Sequence, residues 1–374
     1  MRLLLLANYR PDRQESMLRF AEMLRAGFAE RPDVDVSVWH PPVVLGHVAR
    51  LLGGRWRKWF GYVDQYLIAP LALLFKRIGD RDVRYHICDH SNAPFSQVLP
   101  PARTTVTCHD VIAIEAAGGN EAYGVRPTGL GLYQQRYIRH YLLRQRRVAC
   151  VSAYTLDRLR SLDPDGDAGA GRVWEVIPNA FNAVFSPRPW DERLGRRLGV
   201  EPLGYLFHLG SGHPRKNRKL LLDLLAHRRR GGASERLVLA GRPPSPAELA
   251  HAEHLSLGEA VTWLGSVSHE EALTLYSHCH AFVFPSLSEG FGWPIIEAQA
   301  CGAPVVCSAR APMPEVGGEG ALYADPLSTA DFAAALAKLD DRGARERLVH
   351  DGFLNAERFR APAIIDAYAR FIGA

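Results

Sequence analysis

The chain has 374 residues, of which 47% are hydrophobic and 23% are charged, and this length and composition suit two globular domains. Its net charge of +5 is too weak by itself to indicate a nucleic-acid-binding protein, although it is compatible with an anionic ligand or a membrane surface. The six cysteines form no C-x-x-C pair, which favours reduced core residues of a cytoplasmic protein and gives no sign of a metal cluster. No uncharged apolar run is long enough to predict a transmembrane helix.

The first part of the chain alternates between apolar and polar segments. Residues 1–8 are apolar but lack a signal-peptide cleavage pattern, so they predict a first buried strand. A polar turn and an amphipathic helix follow, with Ser16 at the helix start. Another strand is predicted over 104–108, and His109 and Asp110 come directly after it, where α/β proteins bind ligands. From the residues alone, His109 is either a site residue or a core histidine bonded to the backbone.

Residues 50–77 combine cationic and aromatic side chains with an apolar helix, which suits an anionic bilayer surface with the rings at headgroup level. The cations and rings interleave at Arg50, Arg55, Trp56, Arg57, Lys58, Trp59 and Phe60. Asp64, Gln65 and Pro70 argue against a helix that spans the bilayer. A basic helix predicted over 133–147 would add to the same patch. The alternative is an insertion that packs on its own domain with its cations in solvent, and both interpretations stay open.

A segment rich in proline and charge, 186–203, predicts a linker to the second domain. A strand and a glycine-rich turn follow, with Gly210 and Gly212 in the turn and Arg215 and Lys216 at the start of a helix. Two cations in this position can hold a diphosphate. The ordinary alternative is a charged helix start.

The stretch 282–306 predicts a buried strand, a loop, a helix and another strand, which is half of a nucleotide-binding α/β unit. The loop residues that let backbone N–H groups approach a ligand are Gly290, Phe291 and Gly292. Glu289 and Glu297 frame this loop, and carboxylates accept paired hydrogen bonds from the vicinal diols of sugars and ribose. The helix N-terminus adds partial positive charge, which suits phosphate.

Within this stretch, Ser288-Glu-Gly-Phe-Gly, Glu297 and Cys301-Gly-Ala-Pro-Val-Val together resemble the glutamate-x7-glutamate signature of retaining glycosyltransferases of the GT-B fold, family 4. The resemblance implies an α/β fold of the GT-B type, with two Rossmann-like domains whose parallel sheets face each other across a cleft. It also implies transfer of a hexosyl group from a nucleotide diphosphate sugar to an acceptor hydroxyl, with retention of the anomeric configuration.

The resemblance further implies the division of the chain into domains. Residues 1–185 would form the N-terminal acceptor-binding domain, followed by the linker 186–203. Residues 204–356 would form the C-terminal nucleotide-sugar-binding domain. The C-terminal helix, 357–374, would pack back on the first domain.

Roles for individual residues also follow from the resemblance. Lys216 becomes the phosphate-binding lysine, with Arg215 as its partner. Glu289 would orient the donor sugar and Glu297 would bind the ribose. The residues implied to be catalytic are His109, Lys216 and Glu289. Those implied to bind substrate are Arg215, Gly210, Gly212, Gly290, Phe291, Gly292, Glu297, Val267, Asp110 and Ser16. Of these, Val267 would lie beside the nucleobase, and Ser16 stands where many relatives carry a glycine.

The expected donor is GDP-mannose or a UDP-hexose, and the expected acceptor is a glycan, lipid-linked, for cell-surface polysaccharide at the inner face of the plasma membrane. No metal, other cofactor or nucleic acid is expected, since Lys216, Arg215 and the helix N-terminus would stabilise the departing diphosphate. The alternatives are a nucleotide-sugar epimerase of the same fold and a non-catalytic membrane-associated scaffold. A dinucleotide-dependent oxidoreductase would need a G-x-G-x-x-G run after the first strand, which this chain lacks.

Overall fold

The chain forms two compact units. The computed structural model describes residues 1–47, 54–77, 82–120, 129–163 and 171–373. Of these residues, those in 1–183 and 361–373 belong to the first unit, and those in 184–360 belong to the second.

The segment 186–203, predicted as a linker, lies within the second unit and contains the helix Glu192–Leu198. The Asp191 carboxylate begins this helix by accepting hydrogen bonds from the backbone N–H groups of Arg193 and Leu194. Leu194 and Leu198 are buried, so two apolar positions one turn apart anchor a segment whose overall composition is polar.

The first unit is built on a parallel sheet. Its described strands are β1 (Arg2–Leu6), β2 (Asp35–Trp39), β3 (Val83–Ile87), β4 (Thr104–Cys108), β5 (Arg147–Cys150) and β6 (Val173–Val176), in the order β2-β1-β3-β4-β5-β6. The leucines of β1 are buried, as expected for a parallel strand covered on both faces. The chain moves to one side of β1 for β2 and to the other side for β3, so the sheet has a switch point between β1 and β3.

Helices cover this sheet. Those described are α1 (Glu15–Ala29), α2 (Gly54–Val63), α3 (Ala69–Arg77), α4 (Ile112–Ala117), α5 (Leu130–Leu142), α6 (Ala153–Ser161) and the C-terminal helix (Ala361–Ile372). A π-helical turn, Asp64–Ile68, joins α2 to α3. The helix predicted over 133–147 corresponds to α5, which ends five residues earlier because 147–150 pair as β5 with β4 and β6.

The C-terminal helix packs on α1 inside the first unit. Arg31 forms an ion pair of 2.6 Å with Asp366. Ile365 occupies the space beside Gly27, where a Cβ atom would lie 2.3 Å from Ile365 Cγ1. The hydroxyls of Tyr368 and Thr107 are hydrogen-bonded at 3.0 Å, which ties the same helix to β4.

The second unit repeats the architecture. Its described strands are β7 (Tyr205–Gly210), β8 (Arg236–Gly241), β9 (Val261–Trp263), β10 (Ala281–Phe284), β11 (Val305–Ser308) and β12 (Ala321–Ala324), all parallel, in the order β12-β11-β10-β7-β8-β9. The described helices are α7 (Glu192–Leu198), α8 (Arg218–Arg230), α9 (Pro246–His254), α10 (His269–His278), α11 (Trp293–Ala300), α12 (Met313–Gly317), α13 (Thr329–Ala337) and α14 (Arg342–Glu357). Strand order reverses between β7 and β10, so this is the switch point of the second sheet.

The ends of β7 and β8 approach unusually closely at two glycines. Gly210 and Gly241 are paired in the sheet, and a Cβ atom on Gly241 would lie 2.0 Å from the carbonyl oxygen of Gly210. Gly241 also has a φ of 124°, which disfavours any side chain. The backbone at the carboxyl edge of this sheet therefore depends on Gly241.

We expect Gly241→Ala to lower the free energy of unfolding of the second unit by roughly 2–5 kcal/mol, because the methyl group must displace backbone atoms. Scanning calorimetry would measure this. Gly232→Ala is the matched control, because Gly232 also has a positive φ of 92° but has no atom within 4 Å of its Cβ position. Equal destabilisation by the two substitutions would show that strain in φ, and not the close strand contact, decides the effect.

Candidate functional site

The loops after β7 and β10 meet at the switch point of the second sheet. Their strands are parallel, so both loops leave the same edge, which is where open α/β sheets bind ligands. The backbone N–H of Leu287 donates a 2.7 Å hydrogen bond to the carbonyl of Arg215. Asn217 Nδ2 donates to the carbonyl of Pro285 at 3.3 Å. The two loops that the sequence predicts as binding elements are therefore joined directly.

The turn after β7 sets the positions of two cations. Gly210 ends the strand, and the chain then makes one 3-10 turn, Pro214–Lys216. Asn217 closes the turn with a left-handed φ of 56°, which asparagine adopts more readily than most residues, and α8 follows. Arg215 and the adjacent lysine thus come to lie beside the loop after β10.

Glu289 bridges these two cations. Its Oε1 accepts a 2.5 Å hydrogen bond from Lys216 Nζ, and its Oε2 accepts one of 2.5 Å from Arg215 Nη1. Burial alone would raise the pKa of Glu289, but the charges and hydrogen bonds of Lys216 and Arg215 lower it to about 2. Burial lowers the pKa of Lys216, and the charge of Glu289 opposes this shift. Two cations share the Glu289 carboxylate, and their hydrogen-bond donors and positive charge suit an anionic ligand, while the charge of Glu297 also acts on Lys216.

Two further contacts fix the cations. Lys216 Nζ lies 4.8 Å from the centroid of the Phe284 ring, a cation–π contact. Arg215 Nη1 also donates to the carbonyl of Ser288 at 2.9 Å. Both cations are therefore held by the end of β10 and the loop that follows it.

A buried histidine that the sequence analysis did not single out lies behind this turn. His208 Nδ1 is 2.9 Å from the carbonyl of Val283, so it donates, and burial lowers the pKa of His208 to about 3. The neutral ring stacks on Phe284 at 6.0 Å. A Cβ atom on Gly210 would lie 2.9 Å from His208 Nε2, so the predicted binding residue Gly210 is required by packing as well.

The loop that carries Glu289 is itself buried, and it leads into α11. Gly290, Phe291 and Gly292 are buried, and Gly292 has a φ of 105° that favours glycine. The helix begins at Trp293, with Pro294 in its first turn, where its missing N–H costs nothing. The structure thus has the strand, glycine loop and helix that the sequence predicts.

The second carboxylate is oriented by a tyrosine. Glu297 is buried in α11, and its Oε2 accepts a 3.1 Å hydrogen bond from the hydroxyl of Tyr276 in α10. Sequence reasoning missed Tyr276, because a tyrosine on an amphipathic helix gives no signal that separates it from an ordinary core residue. The hydroxyl therefore helps to orient the carboxylate.

Two other predicted residues of the second unit lie in loops at the carboxyl edge of its sheet. Gly212 is exposed in the turn after β7. Val267 is half-buried in the loop after β9, and β8 separates β9 from β7. Its place beside a nucleobase stays a prediction. Arg218, the next cation after Lys216, is structural, since its Nε lies 3.2 Å from Glu248 Oε1 and it packs over the Trp263 ring.

The carboxyl edge of the first sheet carries a separate polar cluster. Asn8 follows β1 and Asp89 follows β3, one on each side of the switch point, and Asn8 Nδ2 donates to Asp89 Oδ2 at 2.5 Å. Burial alone would raise the pKa of Asp89, but the hydrogen bond and charge of His90 hold it well below its usual range. The sequence analysis did not single out Asn8 or Asp89. Their position after parallel strands was the signal that could have found them.

His109 lies beside this cluster with a backbone partner. Its Nε2 donates to the carbonyl of Cys88 at 2.9 Å, and its ring meets the edge of Phe20 at 4.6 Å. Burial lowers the pKa of His109, so the ring is neutral, although Asp89 opposes the shift. The backbone bond expected for a core histidine is present, and the role implied by the resemblance stays a prediction.

Two predicted binding residues of the first unit lie at helix starts. Asp110 Oδ1 accepts a 3.0 Å hydrogen bond from the backbone N–H of Ile112, at the beginning of α4. Ser16 is exposed in the first turn of α1. Neither the Asp110 hydrogen bond nor the exposure of Ser16 tests the predicted binding roles of these two residues.

Within the described ranges, no group of three or more histidine, cysteine, aspartate or glutamate side chains is arranged to hold a metal ion. The six cysteines are buried and unpaired.

Comparison with known proteins finds a family that resembles most of the second unit. Residues 198–352, less than half of the chain, match the family described as glycosyl transferases group 1. The O-antigen chain mannosyltransferase B of Escherichia coli is 37% identical over 163 residues, which is 42% of each chain. The O-antigen chain mannosyltransferase RfbU of Salmonella typhimurium is 32% identical over 142 residues, 37% of this chain and 39% of the relative. A D-inositol 3-phosphate glycosyltransferase of Acidothermus cellulolyticus is 30% identical over 202 residues, 50% of this chain and 45% of the relative. The chain thus spans less than half the length of each of these relatives.

Solved structures match over almost the entire chain, at low identity. The sucrose-phosphate synthase of Thermosynechococcus elongatus has a TM-score of 0.73 and 17% identity, with 99% of this chain and 98% of that chain covered. HepE of Anabaena, in complex with UDP and glucose, has a TM-score of 0.69 and 18% identity over 100% and 99% of the two chains. WaaG, a glycosyltransferase involved in lipopolysaccharide biosynthesis, has a TM-score of 0.66 and 16% identity over 100% and 99%.

Two parallel six-stranded sheets and this structural likeness define an α/β protein with the GT-B fold of glycosyltransferases, which confirms the predicted fold class. Within that fold, residues 198–352 match the family described as glycosyl transferases group 1, in agreement with the glycosyltransferase resemblance that the sequence suggested.

Proposed function

We propose that the protein is a retaining glycosyltransferase that moves a hexosyl group from a nucleotide diphosphate sugar to a glycan acceptor. The observation that carries the proposal is the cluster of Lys216, Arg215 and Glu289 at the switch point of the second sheet. This cluster lies in the part of the chain that matches the glycosyl transferases group 1 family. It offers a diphosphate two cations and offers a sugar one carboxylate.

In the proposed reaction, the bond between the anomeric carbon and the diphosphate oxygen breaks while an acceptor oxygen bonds to the same carbon from the same face. Negative charge builds on the diphosphate, and Lys216 and Arg215 stabilise it. The departing diphosphate oxygen takes the proton of the acceptor hydroxyl. Since the two cations supply the charge that a metal ion would otherwise supply, we propose that the transfer is metal-independent.

The two carboxylates have different proposed roles. Glu289 orients the hydroxyls of the donor sugar, and Glu297, held by Tyr276, accepts hydrogen bonds from the ribose. We do not assign Glu289 as a nucleophile, since two cations hold both of its oxygens and reduce its basicity.

The proposed donor is GDP-mannose or a UDP-hexose, and the proposed acceptor is a lipid-linked glycan of cell-surface polysaccharide. The names of two relatives, both O-antigen chain mannosyltransferases, support mannose and a polysaccharide product. The complexes of HepE with UDP and with UDP-glucose support a uridine nucleotide. A lipid-linked acceptor would bring the protein to a membrane from the cytoplasmic side.

A thermal-shift screen against UDP, GDP, ADP, dTDP and NAD, without added metal, tests the proposal. One nucleoside diphosphate should stabilise the protein by about 2.7 kcal/mol at a hundredfold excess over its Kd. Glu297→Ala should lose this shift, whereas Glu253→Ala, an exposed glutamate on α9, should keep it. A shift with NAD alone, or with no nucleotide, would contradict the proposal. Conversion of the sugar nucleotide to its epimer without an acceptor would favour the epimerase.

A further inference from the structure

A row of large apolar side chains lies exposed on one helical face of the first unit. Leu67, Leu71, Leu74 and Phe75 follow the spacing of a single helix face and are 60%, 49%, 36% and 71% exposed. We call these four residues the apolar face. Large apolar side chains that lie exposed on one helix face are a common feature of interaction surfaces.

The opposite side of the same helix is fixed to the unit. Asp64 is fully buried and accepts hydrogen bonds from the hydroxyl of Tyr9 at 2.6 Å and from three successive backbone N–H groups, those of Val44, Leu45 and Gly46. Ala69 and Leu73 belong to the core of the unit. The segment 54–77 therefore does pack on its own domain, as one of the two earlier interpretations has it. The apolar face cannot turn inward, because the buried side of the helix is held by this network.

A basic helix lies next to this one. Tyr66 accepts a 2.8 Å hydrogen bond from Gln134 of α5, and its ring packs against Tyr137 at 5.8 Å. The α5 helix and the residues facing it line a cavity of about 540 Å³. The charged and polar side chains of this basic pocket are Arg136, Arg139, His140, Arg144, Asp163 and Arg172.

The basic pocket has an excess of positive charge. It contains four arginines against one carboxylate, and that carboxylate, Asp163, is paired with Arg172 at 2.7 Å. Planar guanidinium groups bind phosphate with paired hydrogen bonds. An anionic phosphate group is therefore the ligand that complements this pocket.

No described helix is both long enough and apolar enough to cross a membrane. An exposed apolar helical face, together with a neighbouring helix that carries exposed basic side chains, instead suits a surface that lies in the interface of an anionic bilayer. We infer that the first unit docks on an anionic bilayer, with the apolar face at headgroup depth and a lipid phosphate in the basic pocket. The inference rests on the proposed function in one respect, because the lipid-linked acceptor is the reason for membrane docking. The docking itself requires no transferase activity.

Several residues of the original aromatic and basic prediction play no part in this inference. Arg50 lies outside the described residues, as do the side chains of Arg55, Trp56, Arg57 and Lys58. Trp59 is exposed and Phe60 is half-buried. The docking surface rests on α3, the π-helical turn and α5.

Co-sedimentation of the full chain with vesicles tests the inference. Phosphatidylcholine vesicles that contain phosphatidylglycerol should bind the protein at least about tenfold more tightly than phosphatidylcholine alone. Leu71→Gln/Phe75→Gln should weaken binding to the anionic vesicles by about tenfold or more. Leu327→Gln, which changes a 71% exposed leucine of the second unit, is the matched control and should bind normally.

A charge-reversal pair tests the pocket separately. Arg136→Glu/Arg144→Glu should remove the preference for anionic vesicles, whereas Arg193→Glu/Arg196→Glu on α7 should retain it. All four variants should unfold at the temperature of the wild type in scanning calorimetry, which shows that both units remain folded. The inference is overturned if the wild type ignores anionic vesicles or if both first-unit variants bind like the wild type. It is also overturned if the wild type is a dimer in solution that Leu71→Gln/Phe75→Gln converts to a monomer.

Discussion

Replacement of Glu289 by glutamine is expected to strengthen the binding of a free nucleoside diphosphate while it weakens sugar transfer. In the structure the Glu289 carboxylate neutralises part of the charge on Lys216 and Arg215 and occupies their hydrogen-bonding groups. A diphosphate must compete with it for the same donors. Glutamine keeps the shape of the side chain but removes this competing charge, so we expect Kd for UDP or GDP to fall about tenfold, or about 1.4 kcal/mol.

The rate of sugar transfer, in contrast, should fall in Glu289→Gln. The proposed role of Glu289 is to orient the donor sugar, and misplacement of a reacting group by about 1 Å can lower the rate by about 10²-fold. The unliganded variant should also be less stable by roughly 3 kcal/mol, because Lys216 becomes a buried cation without its carboxylate. Nucleotide should restore more stability to this variant than to the wild type. Isothermal titration calorimetry, scanning calorimetry and transfer kinetics together measure all three effects.

A matched control separates the site from a general loss of stability. Glu235 forms a similarly buried ion pair with Arg228 at the start of β8, at the opposite edge of the same sheet. Glu235→Gln should lower stability without changing nucleotide affinity. If Glu289→Gln weakens nucleotide binding, then Glu289 supports the two cations in the complex and does not compete with the ligand.

The second large effect is expected for Lys216→Met, which keeps the length of the side chain and removes the charge. Loss of a buried charged partner costs about 2–5 kcal/mol, so nucleoside diphosphate binding should weaken roughly a hundredfold or more. The thermal shift with nucleotide should then disappear. Lys219→Met is the control, because Lys219 lies on the same helix start but is exposed and paired with Asp223.

The double variant Lys216→Met/Glu289→Gln adds a sharper test. Glu289→Gln leaves Lys216 without its carboxylate, and Lys216→Met leaves Glu289 with Arg215 as its remaining cation, whereas the double change removes both charges of the Lys216–Glu289 pair. The two single variants each lose unfolding free energy, and the sum of these two losses should exceed the loss in the double variant, as for any directly coupled pair. Strict additivity would mean that the 2.5 Å contact between Lys216 and Glu289 contributes little to the stability of the unit.

The elements of the second unit could be predicted because their signals are local. Gly292 and Pro294 mark the end of the loop and the start of α11, and the glycine-rich turn that begins at Gly210 precedes α8. Each signal spans only a few residues and reflects backbone geometry, so it can be recognised without knowledge of the fold. Arg215, Lys216 and Glu289 were found for the same reason, since each lies inside such a local pattern.

The contacts that sequence reasoning missed join distant segments. The hydrogen bond between Asn8 and Asp89 links the ends of β1 and β3, and neither residue lies in a pattern that names its partner. Tyr276 reaches Glu297 from the preceding helix through packing alone. Asp64 argued against a membrane-spanning helix, yet its partners are backbone groups of a loop near residue 45. Only the topology brings these groups together.

The four hydrogen bonds to Asp64 also have a mechanical consequence. One of them joins the segment that bears the apolar face to Tyr9, one residue after the Asn8 that follows β1, and the other three join it to the backbone at 44–46. The position of this segment is therefore coupled to the carboxyl edge of the first sheet. On a bilayer, the helix would then fix the distance between the membrane surface and the first sheet. The depth at which its apolar face rests would set the height of that sheet edge above the headgroups, and with it the distance that a lipid-linked glycan must reach.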